Sequence, residues 1–150
     1  AKLAAIGQGS IKAELIATSD SLGITNHIIY LGPFDYEELP RYYATADVFV
    51  LPSYAEALGM VIAESMSCGT LPIASGFPEN HDILKNDNSL RIEIGNEEDI
   101  ANKTLQVLDN KEDYISHVKN GLNHVRKNFE WDKIVSSYID LLSKYKTTRA

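Results

Sequence analysis

Short apolar runs alternate along the chain with longer stretches in which apolar residues recur at helical spacing. The short runs predict five strands, at residues 2–6, 27–31, 47–51, 71–74 and 90–94. The longer stretches predict helices at residues 10–22, 36–46, 60–68, 97–108, 111–128 and 131–145, with a short turn at 79–84. Strands that alternate with helices in this way predict an α/β fold, in which a parallel sheet carries helices on both faces.

Local signals support several of these boundaries. Gly69 follows the helix predicted to end at Cys68 and occupies a favoured position for a left-handed helix stop. Asp35, with Glu38 three residues later, predicts a helix start with reciprocal capping. The strands at 27–31 and 47–51 are apolar nearly throughout, which predicts burial on both faces of the sheet.

The chain ends in a stretch with a clear helical repeat of apolar residues. These are Trp131, Ile134, Val135, Tyr138, Leu141, Leu142 and Tyr145. The pattern is typical of a terminal helix packed on its own domain. A helix that binds a partner is the alternative.

Composition narrows the class of protein. The chain has 150 residues, 44% of them apolar and 23% charged, which favours one globular domain. A formal net charge of -7 argues against a nucleic acid or an anionic membrane surface as the main partner. Cys68 is the single cysteine, so no disulfide can form within the chain. With no run of about 18 apolar residues and no signal-peptide pattern, we expect a cytoplasmic protein without a transmembrane segment.

Two glutamates mark the candidate site. Glu56 and Glu64 bracket a loop that turns into a helix directly after the strand at 47–51. The carboxyl end of a strand is where an open α/β sheet places its ligand. Because carboxylates accept hydrogen bonds from pairs of hydroxyls, the two side chains suit the vicinal hydroxyls of a ribose or a hexose.

The helix start between them suits an anion. Backbone N–H groups of residues 58–62 are expected to be the unpaired donors of the first turn. Gly59 would let a phosphate approach the backbone closely. A phosphate site beside two carboxylates predicts a pocket for a nucleotide sugar. On spacing alone, Glu56 could equally be a favourable charge near a helix N-terminus, and Glu64 a solvated helix residue.

Residues 47–80 closely resemble the signature of the family 4 retaining glycosyltransferases, also called glycosyl transferase group 1, which have the two-lobed GT-B fold. The matching features are Pro52-Ser53, the Glu-x7-Glu pair of Glu56 and Glu64, Gly59, Gly69-x-x-Pro72 and Pro78-Glu79. Looser similarity covers nearly the whole chain. Departures are mild: Ala57-Leu58, Ser65 and Gly76-Phe77 stand where the family often has Gly-Phe, Ala and Gly-Gly.

The resemblance implies a role for each matched residue. Glu56 would contact hydroxyls of the donor hexose and is the expected catalytic residue, and Glu64 would bind the ribose hydroxyls. The backbone of Leu58, Gly59, Met60 and Val61 would hold the diphosphate and the sugar. The turn formed by Gly32, Pro33 and Phe34 would meet the nucleobase.

The resemblance also implies the chemistry. A hexosyltransferase of this kind moves a sugar from a nucleoside diphosphate to an acceptor with retention of configuration, and it needs no metal and no cofactor. Charge on the leaving diphosphate would be stabilised by the helix dipole and basic side chains. The acceptor, a glycan, a lipid or a small molecule, would be held by a second lobe. Peripheral membrane association of the full-length protein stays open.

One requirement of a diphosphate site is absent from the matched segment. There is no Lys or Arg from Tyr42 to Leu84, whereas a diphosphate usually binds positive side chains too. In the family these come from a loop after an earlier strand, and residues 2–6 resemble the family's second strand. We therefore interpret residues 1–150 as a single, partial C-terminal donor-binding domain with a Rossmann-like sheet that lacks its first strand. Alone, this piece is expected to be poorly stable and inactive.

Alternatives remain at this point. A non-catalytic nucleotide-sugar-binding module would have the same fold, and so would a GT-B nucleotide-sugar epimerase. Glu79 would either cap the turn after Pro78 or line the donor pocket, and His81 would lie on the surface or line the same pocket.

Overall fold

The structure, a computed structural model, describes residues 1–147. Five strands and six α-helices are found in this part of the chain. The strands are β1 (Leu3–Ile6), β2 (Ile28–Leu31), β3 (Val48–Leu51), β4 (Leu71–Ser75) and β5 (Leu90–Ile92). The helices are α1 (Lys12–Ser21), α2 (Leu39–Thr45), α3 (Met60–Ser67), α4 (Glu97–Asp109), α5 (Ile115–Asn128) and α6 (Trp131–Thr147). Short 3₁₀ turns occupy Thr25–His27, Tyr36–Glu38, Pro78–Asn80 and Lys111–Tyr114.

The chain forms two compact units, Ala1–Leu39 and Pro40–Ala150. In the first unit β1 and β2 pair in parallel, with Leu3 opposite Ile28 and Ile6 opposite Leu31. Helix α1 connects them, and the hydroxyl of Tyr30 donates a hydrogen bond of 3.0 Å to the carbonyl oxygen of Leu15.

The second unit is built on the parallel sheet β3-β4-β5. All five residues of the central strand β4 are buried. Leu71 and Ile73 pack with Val107 of α4, whereas Ala74 packs with Ile62 of α3. Since side chains alternate across a strand, these two groups lie on opposite faces of the sheet. Helices therefore cover both faces, as the alternating pattern predicted.

Burial of the strands differs from the expectation. Residues of β3 are only half-buried, and Ile29 in β2 is 45% exposed. The reason is that β2 and β3 each lie at an edge of their sheet, so neighbours cover them less completely than they cover β4. The five strands form two separate parallel sheets, of two and three strands, which agrees with a Rossmann-like sheet that lacks one strand.

The boundaries of α3 follow the local signals. Gly69 has φ of 80°, and it lies in the left-handed region that glycine tolerates. The N–H of Gly69 donates to the carbonyl of Met66, and the N–H of Thr70 donates to that of Ser65, each at 3.0 Å. This pair of bonds is the Schellman motif. The helix start predicted at Asp35 is found, since a 3₁₀ turn begins at Tyr36, but the Asp35 side chain makes no capping hydrogen bond, and the N–H of Glu38 donates to the Asp35 carbonyl instead.

Helix α6 differs most from its predicted environment. Its apolar side chains are mostly exposed, although a helix packed on the domain would bury them. The exposed ones are Trp131, Val135, Tyr138, Ile139, Leu141, Leu142 and Tyr145. Ile134 is half-buried, and α6 touches α5. The repeat predicted the helix correctly, but the packing of its face on this domain is not found in the described residues.

Candidate functional site

The candidate site lies at the carboxyl edge of the sheet β3-β4-β5. Because the three strands are parallel, the segments that follow them emerge at this one edge. Two of these segments are in contact, because Gly95, after β5, lies against the ring of Tyr54, after β3. A Cβ added at Gly95 would lie 3.3 Å from Cε1 of Tyr54. Gly95 therefore leaves room for the Tyr54 ring, beside the loop that carries Glu56.

Gly59 starts helix α3 in a conformation that only glycine adopts easily. Its φ is 72° and its ψ is 51°. A Cβ at this position would also lie 2.8 Å from Cδ1 of Ile62 and 3.3 Å from Cγ of Glu56. The positive φ favours glycine here, a Cβ would crowd Ile62 and Glu56, and the same packing places the Glu56 stem beside the start of α3.

Glu56 is fixed by its own loop. The hydroxyl of Ser53 donates to Oε2 at 3.4 Å, and the N–H of Ala57 donates to Oε1 at 3.2 Å. The side chain is half-buried. Within residues 1–147, Glu56 makes no hydrogen bond to a first-turn N–H of α3. The carboxylate keeps acceptor positions for other donors.

Glu64 lies on α3 and is half-buried, which differs from a solvated helix residue. The hydroxyl of Tyr43 donates to its Oε2 at 3.2 Å. The Tyr43 ring packs edge-on against Phe49 of β3, with the ring centroids 5.3 Å apart. The hydroxyl of Thr70 donates to the backbone carbonyl of Tyr43 at 2.5 Å. Sequence reasoning missed that the Tyr43 hydroxyl orients Glu64.

Most of the expected backbone donors at the start of α3 are unpaired. Within residues 1–147, no backbone acceptor is found for the N–H groups of Leu58, Gly59, Met60 and Val61. The N–H of Ile62 is different, because it donates to the carbonyl of Gly59 at 2.9 Å. The first turn of α3 contains no acidic residue. Four N–H groups and an uncompensated helix dipole suit an anion at this terminus.

The turn after β4 is fixed by Asn80. Its Oδ1 accepts from the N–H of Phe77 at 2.9 Å, and its Nδ2 donates to the carbonyl of Ser75 at 3.0 Å. Asn80 is buried, whereas Glu79 is exposed. The capping role considered for Glu79 is wrong, because Asn80 performs it. Glu79 makes no hydrogen bond or ion pair with any residue in the described part of the chain.

Arg91 supplies a positive charge near this turn, although the segment from Tyr42 to Leu84 contains no Lys or Arg. Arg91 of β5 contacts Gly76: a Cβ added there would lie 3.1 Å from Cδ of Arg91. Its Nη1 lies 3.0 Å from Nε2 of His81, and its Nη2 donates to the carbonyl of Leu84 at 2.7 Å. Sequence reasoning did not single out Arg91, since only the pairing of β4 with β5 brings it to Gly76.

The start of α4 holds the segment after β5. Oδ2 of Asp99 accepts from the N–H of Glu93 at 2.8 Å and from Nζ of Lys103 at 2.8 Å. The hydrogen bond from Lys103, then the bond from the N–H of Glu93, lower the pKa of Asp99 below 3.8, while its burial acts in the opposite direction. Asn96 caps the helix by accepting from the N–H of Asp99 at 2.9 Å.

The turn predicted to meet the nucleobase belongs to the first unit. Gly32 and Pro33 are exposed, and Phe34 is half-buried. Glu56 and Glu64 belong to the second unit. The assignment of Gly32, Pro33 and Phe34 to base recognition stays a prediction.

Two further observations concern classes of site. Across residues 1–147, no three side chains of the His, Cys, Asp and Glu types come together as a metal site needs. The predicted metal-free and cofactor-free chemistry stays a prediction. None of the helices described here is both long and apolar enough to cross a membrane.

The sequence pattern of the family described as glycosyl transferases group 1 matches residues 1–124. The chain belongs to this family. The predicted resemblance is thus confirmed, and the α/β fold with helices on both faces agrees with the GT-B glycosyltransferases among similar solved structures. The matched residues of this group 1 chain include both sheets and the glutamate pair.

The chain spans only part of the length of the relatives it matches. It is 28% identical over 128 residues to a D-inositol 3-phosphate glycosyltransferase of Salinispora arenicola, covering 85% of this chain and 29% of the relative. The Anabaena protein HepE, solved with UDP, has a TM-score of 0.88 at 21% identity and matches 95% of this chain and 41% of its own; its UDP-glucose complex gives 0.86. The C-terminal domain of a group 1 family protein of Francisella tularensis has a TM-score of 0.74 at 24% identity, over 81% of this chain and 63% of its own.

Proposed function

We propose that this chain is the donor-binding lobe of a retaining glycosyltransferase and binds a nucleoside-diphosphate sugar. One observation carries the proposal: four unpaired N–H groups at the start of α3 lie between two glutamates that are held in place. The N–H groups suit a diphosphate, and the carboxylates suit the hydroxyls of the ribose and the hexose that are attached to its two ends. The complexes of HepE with UDP and UDP-glucose, on a similar fold, support this ligand class.

The roles of the two glutamates differ in this proposal. Glu64, oriented by Tyr43, binds the ribose hydroxyls. Glu56, oriented by Ser53 and the N–H of Ala57, binds the transferred hexose and is the catalytic residue. As the sugar leaves, negative charge develops on the diphosphate. The N–H groups of Leu58, Gly59, Met60 and Val61 and the dipole of α3 stabilise that charge.

Calorimetric titration of the full-length protein tests the proposal. The panel contains UDP, GDP and ADP and their glucose or mannose conjugates, without added metal. We expect selective binding of one base. Glu64→Ala should remove about 1.5–3 kcal/mol, roughly 10- to 100-fold in Kd, because a charge-assisted hydrogen-bonding site is lost. Tyr43→Phe should cause a smaller loss, since it leaves the carboxylate but releases its orientation.

Controls separate the two glutamates from general effects. Glu112→Ala, at an exposed glutamate of the turn Lys111–Tyr114, should bind like the wild type. Glu56→Ala should weaken binding of the sugar conjugate more than binding of the free nucleotide. Equal losses for both ligands in Glu56→Ala would contradict its assignment. No binding by the wild type to any member of the panel would overturn the proposed donor class.

A further inference from the structure

Arg91 holds the turn that follows β4 from the neighbouring strand. Its position on β5 is opposite Ala74 in the register, two residues before Gly76. The side-chain stem crosses Gly76, where an added Cβ would lie 3.1 Å from Cδ and 3.6 Å from Cγ of Arg91. A methyl group at residue 76 would therefore require the arginine stem to shift by a few tenths of an ångström.

The guanidinium joins both ends of the segment beyond the turn. Nη2 donates to the carbonyl of Leu84 at 2.7 Å, and Nη1 lies 3.0 Å from Nε2 of His81. Since a guanidinium only donates hydrogen bonds, Nε2 of His81 is the acceptor in this contact. Arg91 thus attaches His81, two residues after Glu79, to β5.

The remaining donor of Arg91 shows that this position is not optimised for charge pairing. Its Nε is shielded from solvent and has no hydrogen-bond partner among the residues described. No carboxylate in residues 1–147 forms an ion pair with it. The guanidinium is thus held by the segment from Gly76 to Leu84 and not by a carboxylate.

That segment presents a free carboxylate at the edge of the sheet where α3 begins. Glu79 is exposed and without a hydrogen-bond partner in the described residues, while Asn80 fixes the turn from within. Arg91 and His81 provide a second, independent attachment from β5. A free carboxylate suits sugar hydroxyls but repels a diphosphate. The Glu79 carboxylate would therefore contribute to binding the sugar of a donor and not its diphosphate.

We propose that Arg91 is a positioning residue for the donor sugar: through His81 and the Leu84 carbonyl it holds residues 76–81 so that Glu79 contacts sugar hydroxyls. This inference rests on the proposed function, because it requires a nucleotide sugar at the same edge of the sheet. Arg91 itself touches neither the sugar nor the diphosphate. Its effect on donor binding passes through the position of Glu79.

The test uses the full-length protein and the conjugate of the panel above that binds most tightly, together with its free nucleoside diphosphate. Arg91→Met keeps the stem and removes the guanidinium. It should weaken conjugate binding by about tenfold, as a misplaced binding group does, and leave free-nucleotide binding within about twofold. Glu79→Gln should give the same selective loss. Arg126→Met, at an exposed arginine of α5, is the matched control and should change neither ligand.

Gly76→Ala gives a second route to the same effect, because its Cβ requires the Arg91 stem to shift. We expect the double variant Gly76→Ala with Arg91→Met to be no weaker than Arg91→Met alone, since both changes remove one interaction. Additive losses would overturn the inference. Arg91→Lys, which keeps the charge and loses the fork, should give an intermediate loss and serves if Arg91→Met does not fold.

The outcomes distinguish this inference from the proposed function. A wild type that binds no conjugate overturns both. A wild type that binds, with Glu64→Ala impaired but Arg91→Met, Gly76→Ala and Glu79→Gln unchanged, overturns only the role of Arg91. Equal losses of conjugate and free nucleotide in Arg91→Met also overturn it, because they indicate general destabilisation.

Discussion

Gly59 and Gly69 share a left-handed backbone but differ in what surrounds them. Both have positive φ, 72° and 80°. A Cβ at Gly69 would meet nothing within 4 Å, whereas one at Gly59 would lie 2.8 Å from Cδ1 of Ile62 and 3.3 Å from Cγ of Glu56. The two glycines thus separate the cost of backbone conformation from the cost of crowding at the candidate site.

Substitution of each glycine by alanine measures these costs. Gly69→Ala should lower the free energy of unfolding by about 1–2 kcal/mol, the cost of a left-handed non-glycine residue. Gly59→Ala should lower it by about 1–3 kcal/mol more, because the added methyl group overpacks Ile62 and Glu56. Urea unfolding of the full-length variants checks the order. Gly59→Ala should also weaken nucleotide binding, and equal unfolding free energies for the two variants would contradict the crowding argument.

At the scale of elements, β4 and α3 show why the candidate site could be predicted from the sequence. Their boundaries depend on local signals: the apolar run of β4, Gly59 at the start of α3 and Gly69 at its end. The glutamate pair lies in the same continuous stretch, so the motif could be read without knowing the tertiary structure.

Other parts of the site depend on distant residues and could not be predicted. Tyr43 reaches Glu64 across 21 positions, and Arg91 reaches His81 across 10. No periodicity or spacing encodes such contacts. Strand order was also beyond the pattern, because apolar runs predict strands but not which of them pair. The same limit applies to α6, whose repeat gives a helix and not the identity of its neighbour.

The junction of β5 and α4 gives a pH-dependent prediction. The pKa of Asp99 is lowered below 3.8 in the folded protein, so the folded state binds this proton less readily than the unfolded state. The stabilisation is therefore fully present above the unfolded pKa of about 3.8. It is lost as the pH falls through the lower, folded pKa.

Asp99→Asn should then lower the free energy of unfolding by about 1 kcal/mol at pH 7, because it weakens the bonds to Lys103 and the N–H of Glu93. The difference from wild type should shrink below pH 3.8. Urea midpoints of the two proteins between pH 7 and 3 check this. Asp140→Asn, at an exposed position of α6, is the control. A difference that grows on acidification would show that the sign is wrong.

For the whole molecule, burial is unequal between the two units. Ser19 is the only buried residue recorded in Ala1–Leu39, whereas β4 is buried along its full length. Few buried contacts imply a low free energy of local opening. The two units of the 150-residue chain are therefore expected to differ in local stability.

Amide hydrogen exchange of the 150-residue chain measures that difference. We expect the amides of β4, Leu71–Ser75, to exchange most slowly. The amides of β1 and β2 should exchange about tenfold faster or more, because their unit opens without disrupting the core around β4. Uniform protection of β1, β2 and β4 would contradict this and indicate one cooperative unit. It would also count against the expectation that the isolated chain is poorly stable.

The two left-handed glycines that bound α3 also restrict its length. A helix that frays can absorb an inserted or deleted residue at its ends, but α3 starts at a glycine packed against Glu56 and stops at a Schellman motif. Glu64 lies five positions after Gly59, which corresponds to about 7.5 Å along the helix axis. Insertions or deletions between Glu56 and Gly69 should thus be far less tolerated than in the surface turns. The two ends of α3 therefore restrict the distance between the carboxylates of Glu56 and Glu64.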